Sequence, residues 1–292
     1  MASPRLKKIL STALKMIISA VAIWYLIWSL TPEQERDIFQ ALEKAHWGWL
    51  ILAFLLFNIS KIISSIRLNK YFQCISLKLS EAFNLKLYYL GMFYNLFLPG
   101  GIGGDGYKVY YLNRNYDTPV KKLISATILD RLSGAVVLGF LALILAMIAG
   151  MDQILSGQNW ILALLALASF PIFWVVHNRF FKDFNPEFFR ALIMGFGVQL
   201  SQLVCAAFIL MAINARGGYF DYMTLFLVSS VVAVLPFTIG GIGAREFVML
   251  EGVVFFASLN GQVATAMAFS ILFFLITAVS SLLGSYFSVK LK

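Results

Sequence analysis

Long apolar segments separated by short polar ones make up most of the chain. A membrane-spanning helix needs about 20 mostly apolar residues. We therefore predict spans over about 9–30, 47–66, 123–150, 160–177, 191–213 and 262–289. Tryptophans lie near several of these ends, where an amphipathic indole suits the lipid headgroup layer. This pattern predicts an all-α polytopic membrane protein.

Two further apolar regions, 83–112 and 222–257, are each interrupted by proline and glycine. Lys and Arg in the flanks indicate sidedness, because cytoplasmic loops carry an excess of both. The segments 67–82 and 105–122, on either side of the first region, are basic, whereas both flanks of the second are poor in bases. We predict two re-entrant hairpins that enter from opposite sides. The alternative is eight full spans, which places the two basic segments on opposite sides.

A short motif occurs in both broken regions. "LPGGIGGDG" begins at Leu98 and "LPFTIGGIGARE" begins at Leu235. Residues 1–150 and 151–292 each contain two spans, a broken hairpin and a third span, in the same order but with opposite predicted orientation. The sequence thus predicts an inverted-topology repeat of 3+3 helices, an architecture typical of transporters. Both termini are predicted to be cytoplasmic, with the first span uncleaved.

Composition supports a lipid environment and excludes several function classes. Hydrophobic residues make up 60% of the chain and charged residues 13%, against about 25% charged in soluble domains. The net charge of +9 comes from short basic clusters between apolar runs, which is a topology signal, so we expect no nucleic-acid partner. The two cysteines predict no disulfide. We expect no metal and no cofactor, and the sequence has no nucleotide-binding loop or hydrolase motif, so an enzyme is not expected.

The glycines of the two motifs are candidate binding residues. Backbone N–H groups at a helix N-terminus converge on anions, and the helix dipole adds partial positive charge. The alternative is close helix packing through small residues. The candidate positions are Gly100, Gly101, Gly103, Gly104, Gly240, Gly241 and Gly243.

Ionisable residues next to these motifs and inside the spans are the second set of candidates. Such groups are costly in a bilayer and mark pathways or ion pairs. The set comprises Asp105, Lys108, Asp130, Arg131, Arg245 and Glu246, with Lys61, Asn95, Gln199 and Gln202 as additional polar positions. A structural ion-pair role stays open for Asp130–Arg131 and Arg245–Glu246. Arg67 is predicted to snorkel to the inner headgroups.

The stretches "NLFLPGGIGGDGYKVYYL", "ATILDRLSG" and "LPFTIGGIGAREFVML" resemble the lysylphosphatidylglycerol synthase transmembrane region, a flippase-like membrane family. The resemblance covers nearly the whole chain. The family includes the membrane half of bacterial multiple peptide resistance factor, which is taken to flip aminoacylated phosphatidylglycerol. This sequence lacks the second membrane block and the soluble aminoacyl-transferase domain of that member, so the resemblance does not imply lipid aminoacylation.

The resemblance implies that the protein handles a phospholipid or a polyprenyl-linked lipid in the inner (cytoplasmic) membrane. Our leading hypothesis is a lipid translocase with a polar cavity between the repeats. The alternatives are an intramembrane lipid-modifying enzyme, or a subunit of one, and a transporter of small solutes or ions. The expected partner is membrane lipid, while homo-oligomers and a partner synthase are both left open.

Overall fold

The computed structural model describes residues 24–25, 28–97, 103–150, 159–234 and 243–288. Over these residues the structure is helical and contains no β-strand. The helices are α1 (Pro32–Glu43), α2 (Trp47–Cys74), α3 (Glu81–Phe97), α4 (Gly103–Tyr116), α5 (Val120–Ile148), α6 (Asn159–Phe180), α7 (Phe188–Ala212), α8 (Tyr219–Val234), α9 (Ala244–Gly252) and α10 (Val263–Ser288). Short 3₁₀ helices occur at Lys182–Glu187, Val253–Phe255 and Ala257–Leu259.

Five helices among the described residues are long and apolar enough to cross a membrane, namely α2, α5, α6, α7 and α10. They coincide with five of the six predicted spans, which confirms the all-α polytopic fold. The remaining predicted span, about 9–30, lies almost entirely outside the described residues.

Two boundaries differ from the sequence-based prediction. Helix α2 continues past residue 66 to Cys74, because the residues in between include no glycine or proline that would end it. The segment predicted as a plain loop, 31–46, contains the helix α1. Thr31 and Gln34 cap its N-terminus reciprocally, and these bonds satisfy two backbone N–H groups that a helix start otherwise leaves unpaired.

The exterior of helix α2 is apolar, and its buried face carries polar as well as apolar residues. Ile51, Leu55 and Ile59 are exposed, whereas Ser60 and Ser64 are buried. A soluble helix would show the reverse arrangement. The distribution fits a helix whose outer face meets lipid and whose polar groups face other helices.

The first broken region forms a helical hairpin. Helices α3 and α4 pack against each other, with the rings of Tyr94 and Tyr107 4.6 Å apart between centroids. The backbones touch at Gly91 and Gly104, since a Cβ on Gly104 would lie 1.8 Å from the Gly91 carbonyl oxygen. In one continuous helix these residues would be about 20 Å apart. The chain therefore reverses direction between them, and the proline-containing turn, 98–102, lies outside the described residues.

The second broken region also folds back on itself. Helix α9 packs against α8. The Arg245 guanidinium donates to the Ser230 hydroxyl at 3.4 Å, and Gly252 faces Leu225. Both regions are thus pairs of short helices rather than single spans. Their re-entrant placement in a membrane and the inverted relation of the two halves stay predictions.

Contacts between the halves follow a reciprocal pattern. Helix α3 of the first half packs on α10, the last helix of the second half, and α8 of the second half packs on α5, the last long helix of the first. Helices α2 and α7 pack against each other. At the α3–α10 crossing, a Cβ on Gly284 would lie 2.1 Å from the Tyr89 carbonyl oxygen. Each hairpin is therefore held by the opposite half.

Candidate functional site

Asp105 is a buried carboxylate that forms ion pairs with two cations. It lies in the first turn of α4, where a carboxylate is favoured by the helix dipole. Lys108, one turn later on the same helix, donates to it at 2.7 Å, and Arg131 of α5 donates through Nε. Two cations thus share one carboxylate, and the bonds join the hairpin to α5.

A second ion pair lies in the same region. Arg67 of α2 donates to Asp130 of α5 at 2.7 Å, and both side chains are buried. Gly134 and Gly195 leave room for the guanidinium, since a Cβ at Gly134 would lie 3.2 Å from Nη2 of Arg67. The prediction that Arg67 snorkels to the headgroups is wrong, because its charge is directed at Asp130 inside the helix bundle. Nη1 of Arg67 is buried and makes no hydrogen bond.

The sequence also left open that Asp130 pairs with its neighbour Arg131. The structure instead pairs Asp130 with Arg67 and Arg131 with Asp105. Adjacent residues on a helix point about 100° apart, so they reach different partners. We call these five residues, Arg67, Asp105, Lys108, Asp130 and Arg131, the ionic cluster.

Two of the three described candidate glycines donate their backbone N–H to a side chain. Gly104 N–H donates to the Asn95 side-chain oxygen at 2.7 Å, and Gly243 N–H donates to Glu246 Oε2 at 2.9 Å. Gly243 has φ of 85°, in the left-handed region that suits glycine. Gly103 begins α4. The other predicted glycines lie outside the described residues: Gly100, Gly101, Gly240 and Gly241.

Arg245 and Glu246 do not pair with each other. Arg245 packs over the rings of Phe273 at 4.2 Å and Phe226 at 5.4 Å. Glu246 accepts a hydrogen bond from Ser270 of α10 at 2.9 Å, in addition to the bond from Gly243. The carboxylate therefore ties α9 to α10, and the guanidinium faces an aromatic surface.

Lys61 is a further ionisable residue of α2 and is only partly buried. Its Nζ lies over the Phe57 ring at 4.4 Å, and both Arg67 and Arg245 are close enough to repel it. Nearby, Gln202 of α7 approaches the Ser60 hydroxyl at 3.4 Å, whereas Gln199 is buried one turn earlier. Lys61 thus lies between the ionic cluster and Arg245.

The sequence missed Arg67 as a member of this group. Ser60, Ser64 and Arg67 recur at spacings of four and three residues, which places them on one face of α2. A polar face on an otherwise apolar membrane helix indicates the bundle interior, and this signal could have identified Arg67.

The model of the family "Lysylphosphatidylglycerol synthase TM region" matches residues 12–284. The chain belongs to this family. The match spans both halves, both broken regions and every residue of the ionic cluster. It confirms the resemblance seen in the two motifs, and it links this multi-pass membrane protein to lipid modification or flipping. No match to the chain is found among curated proteins.

Proposed function

We propose that the protein is a lipid translocase that moves the headgroup of a phospholipid or polyprenyl-linked lipid past buried charges between the two halves. The observation that carries this proposal is the meeting of charged residues from both halves in one interior region. Five basic residues, Lys61, Arg67, Lys108, Arg131 and Arg245, face three acidic ones, Asp105, Asp130 and Glu246. The excess of positive charge suits an anionic headgroup.

The cost of such charges favours a functional role. Ionisable groups in membrane segments are expensive, and those present mark substrate or ion paths. Hydrogen bonds and ion pairs offset part of this free-energy cost. The cost stays uncompensated for the cations that outnumber the carboxylates. Membership of a lipid-handling family supports a lipid rather than a soluble ion as the charged species.

An inverted repeat would provide the conformational change. The reciprocal packing of α3 on α10 and of α8 on α5 supports two related halves that hold each other's hairpins. Two such halves, oppositely oriented, provide two similar states open to opposite sides. In this proposal the halves rock about the buried charges while the acyl chains stay in lipid. Transport is downhill or ion-coupled.

The proposal is tested with purified protein in vesicles that contain fluorescently labelled phosphatidylglycerol. A membrane-impermeant reductant bleaches only outer-leaflet label, so translocation is seen as bleaching of the inner pool. We expect faster bleaching with protein than without. Arg131→Ala and Arg245→Ala should slow it about tenfold or more, because one charge-assisted hydrogen bond contributes about 1.5–3 kcal/mol.

Lys86→Ala is the matched control. Lys86 is exposed, and it is neither in the ionic cluster nor one of the other charged residues of the proposed site. Wild-type rates in both folded arginine variants would contradict the role of these two charges, and bleaching no faster with protein than without it would contradict the translocase. Mass spectrometry of the same lipids separates the alternatives. A new lipid mass after incubation with a headgroup donor assigns an enzyme, and flux of a water-soluble substrate without lipid movement assigns a solute transporter.

A further inference from the structure

Two cations of this region form no salt bridge with a carboxylate among the described residues. The ion pairs among the described residues are Arg67–Asp130, Lys108–Asp105, Arg131–Asp105 and Arg190–Glu187. Lys61 and Arg245 take part in none of these. The only described carboxylate beside Arg245 is Glu246, and each of its oxygens already accepts a hydrogen bond, from Gly243 and from Ser270.

Aromatic rings bring the two cations together. Lys61 lies on the Phe57 ring and Arg245 on the Phe273 ring, and these rings pack edge to face with centroids 5.7 Å apart. The cations repel each other across this pair. A cation–π contact stabilises a cation by less free energy than desolvation of the charge costs.

The surroundings leave the two charges reachable by a ligand. Lys61 and Arg245 are each only partly buried, so part of each side chain stays accessible. Nearby, Arg67 is 5% exposed and its Nη1 lacks a hydrogen-bond partner, so one further N–H donor is available in this region.

The two cations come from opposite halves of the chain. Lys61 lies on α2 in the first half, and Arg245 lies on α9, in the hairpin of the second half. A ligand that bridges them would connect the halves and would offset the repulsion between the two charges. The ligand must be an anion with several oxygen acceptors, because Arg presents a planar fork of donors and Lys a compact charge.

We propose that Lys61 and Arg245 together bind the phosphate group of an anionic lipid. This inference rests on the proposed translocase function and names the group that the site recognises. It replaces Arg131 of the sequence-based hypothesis with Lys61, since Arg131 is already engaged with Asp105. Asp105, Lys108 and Arg131 then serve to hold the hairpin.

Binding to the purified protein tests the site with three probes: dihexanoylphosphatidylglycerol, dihexanoylglycerol, which lacks phosphate, and inorganic phosphate. We expect the phospholipid to bind and the phosphate-free lipid not to bind. Lys61→Met and Arg245→Met should each weaken phospholipid binding about 10- to 100-fold, as expected for loss of one charge-assisted bond. The control Lys86→Met should leave the affinity unchanged, and Lys61→Arg should largely retain it.

Thermal stability without ligand separates a binding role from a structural one. If the two cations serve to bind a ligand, the Met variants without ligand should unfold at or above the wild-type unfolding temperature. Phospholipid should then raise the unfolding temperature of these variants less than it raises that of the wild type. Lower unfolding temperatures in the empty variants, or unchanged phospholipid affinity, would overturn the proposal. If inorganic phosphate binds as tightly as the phospholipid, the site recognises free phosphate and the assignment to a lipid is refuted.

Failure of the site and failure of the translocase are distinguishable. Phosphate-dependent binding that the Met variants lose, in vesicles where wild-type protein moves no lipid, would refute the translocase and leave the site in place. Lipid movement at wild-type rate in both variants would refute the site alone.

Discussion

Removal of one partner of the buried ion pair Arg67–Asp130 should destabilise the protein more than replacement of both partners by apolar residues. Both residues are buried, and Arg67 already has one nitrogen without a hydrogen-bond partner. Asp130→Leu would leave the guanidinium without its counter-ion among apolar helices. Loss of one partner of a buried pair costs about 3–5 kcal/mol. Replacement of both by apolar residues of similar size is often neutral, so Arg67→Met with Asp130→Leu should recover most of that loss.

Reversible unfolding by SDS in mixed micelles measures these free energies. The surface pair Arg190–Glu187, at 3.0 Å, is the control, because its arginine is mostly exposed and such pairs contribute about 1 kcal/mol or less. Arg190→Met should therefore change the unfolding free energy little. The reasoning is refuted if Asp130→Leu costs no more than Arg190→Met, or if the double variant is less stable than either single variant.

Three further predictions follow from packing and topology. Gly104→Ala should destabilise the first hairpin by about 1–3 kcal/mol or more, because the new Cβ would overlap the Gly91 carbonyl. Gly106→Ala on the same helix should be tolerated, because its Cβ would meet no atom within 4 Å. Thermal unfolding of both variants measures the difference. Gly284→Ala should loosen the α3–α10 crossing while Gly139→Ala does not, and hydrogen exchange of α3 reports the difference. In a cysteine-free background, Lys78→Cys and Asn115→Cys should react with an impermeant reagent from the same side of the membrane, and labelling from opposite sides would instead support eight full spans.

Much of the fold could be predicted because its signals are local. Apolar length predicted the spans now seen as α2, α5, α6, α7 and α10. Proline and glycine predicted where the two remaining apolar regions break. The helix ends were less predictable: α2 continues to Cys74 through polar residues that have no breaker, and α1 occupies a segment that was expected to be a loop.

The candidate site was predictable as a list of residues but not as a set of pairs. The motifs and the rarity of charge in apolar sequence singled out Asp105, Arg131 and Arg245. Their partners depend on helix rotation and on which helices pack together, and no local pattern encodes these. Arg67 is the clearest case, since it was assigned to the headgroups and instead lies against Asp130.

The sequence by itself determined that this is a membrane protein of paired broken hairpins, because hydropathy, backbone breakers and charge act over a few neighbouring residues. Only the tertiary structure decided which charges are satisfied and which are not. Carboxylates sixty-three and twenty-six residues away along the chain neutralise Arg67 and Arg131, whereas Lys61 and Arg245 pack against aromatic rings. That distinction arises from contacts between distant helices, and it turns a list of costly charges into one candidate place for an anion.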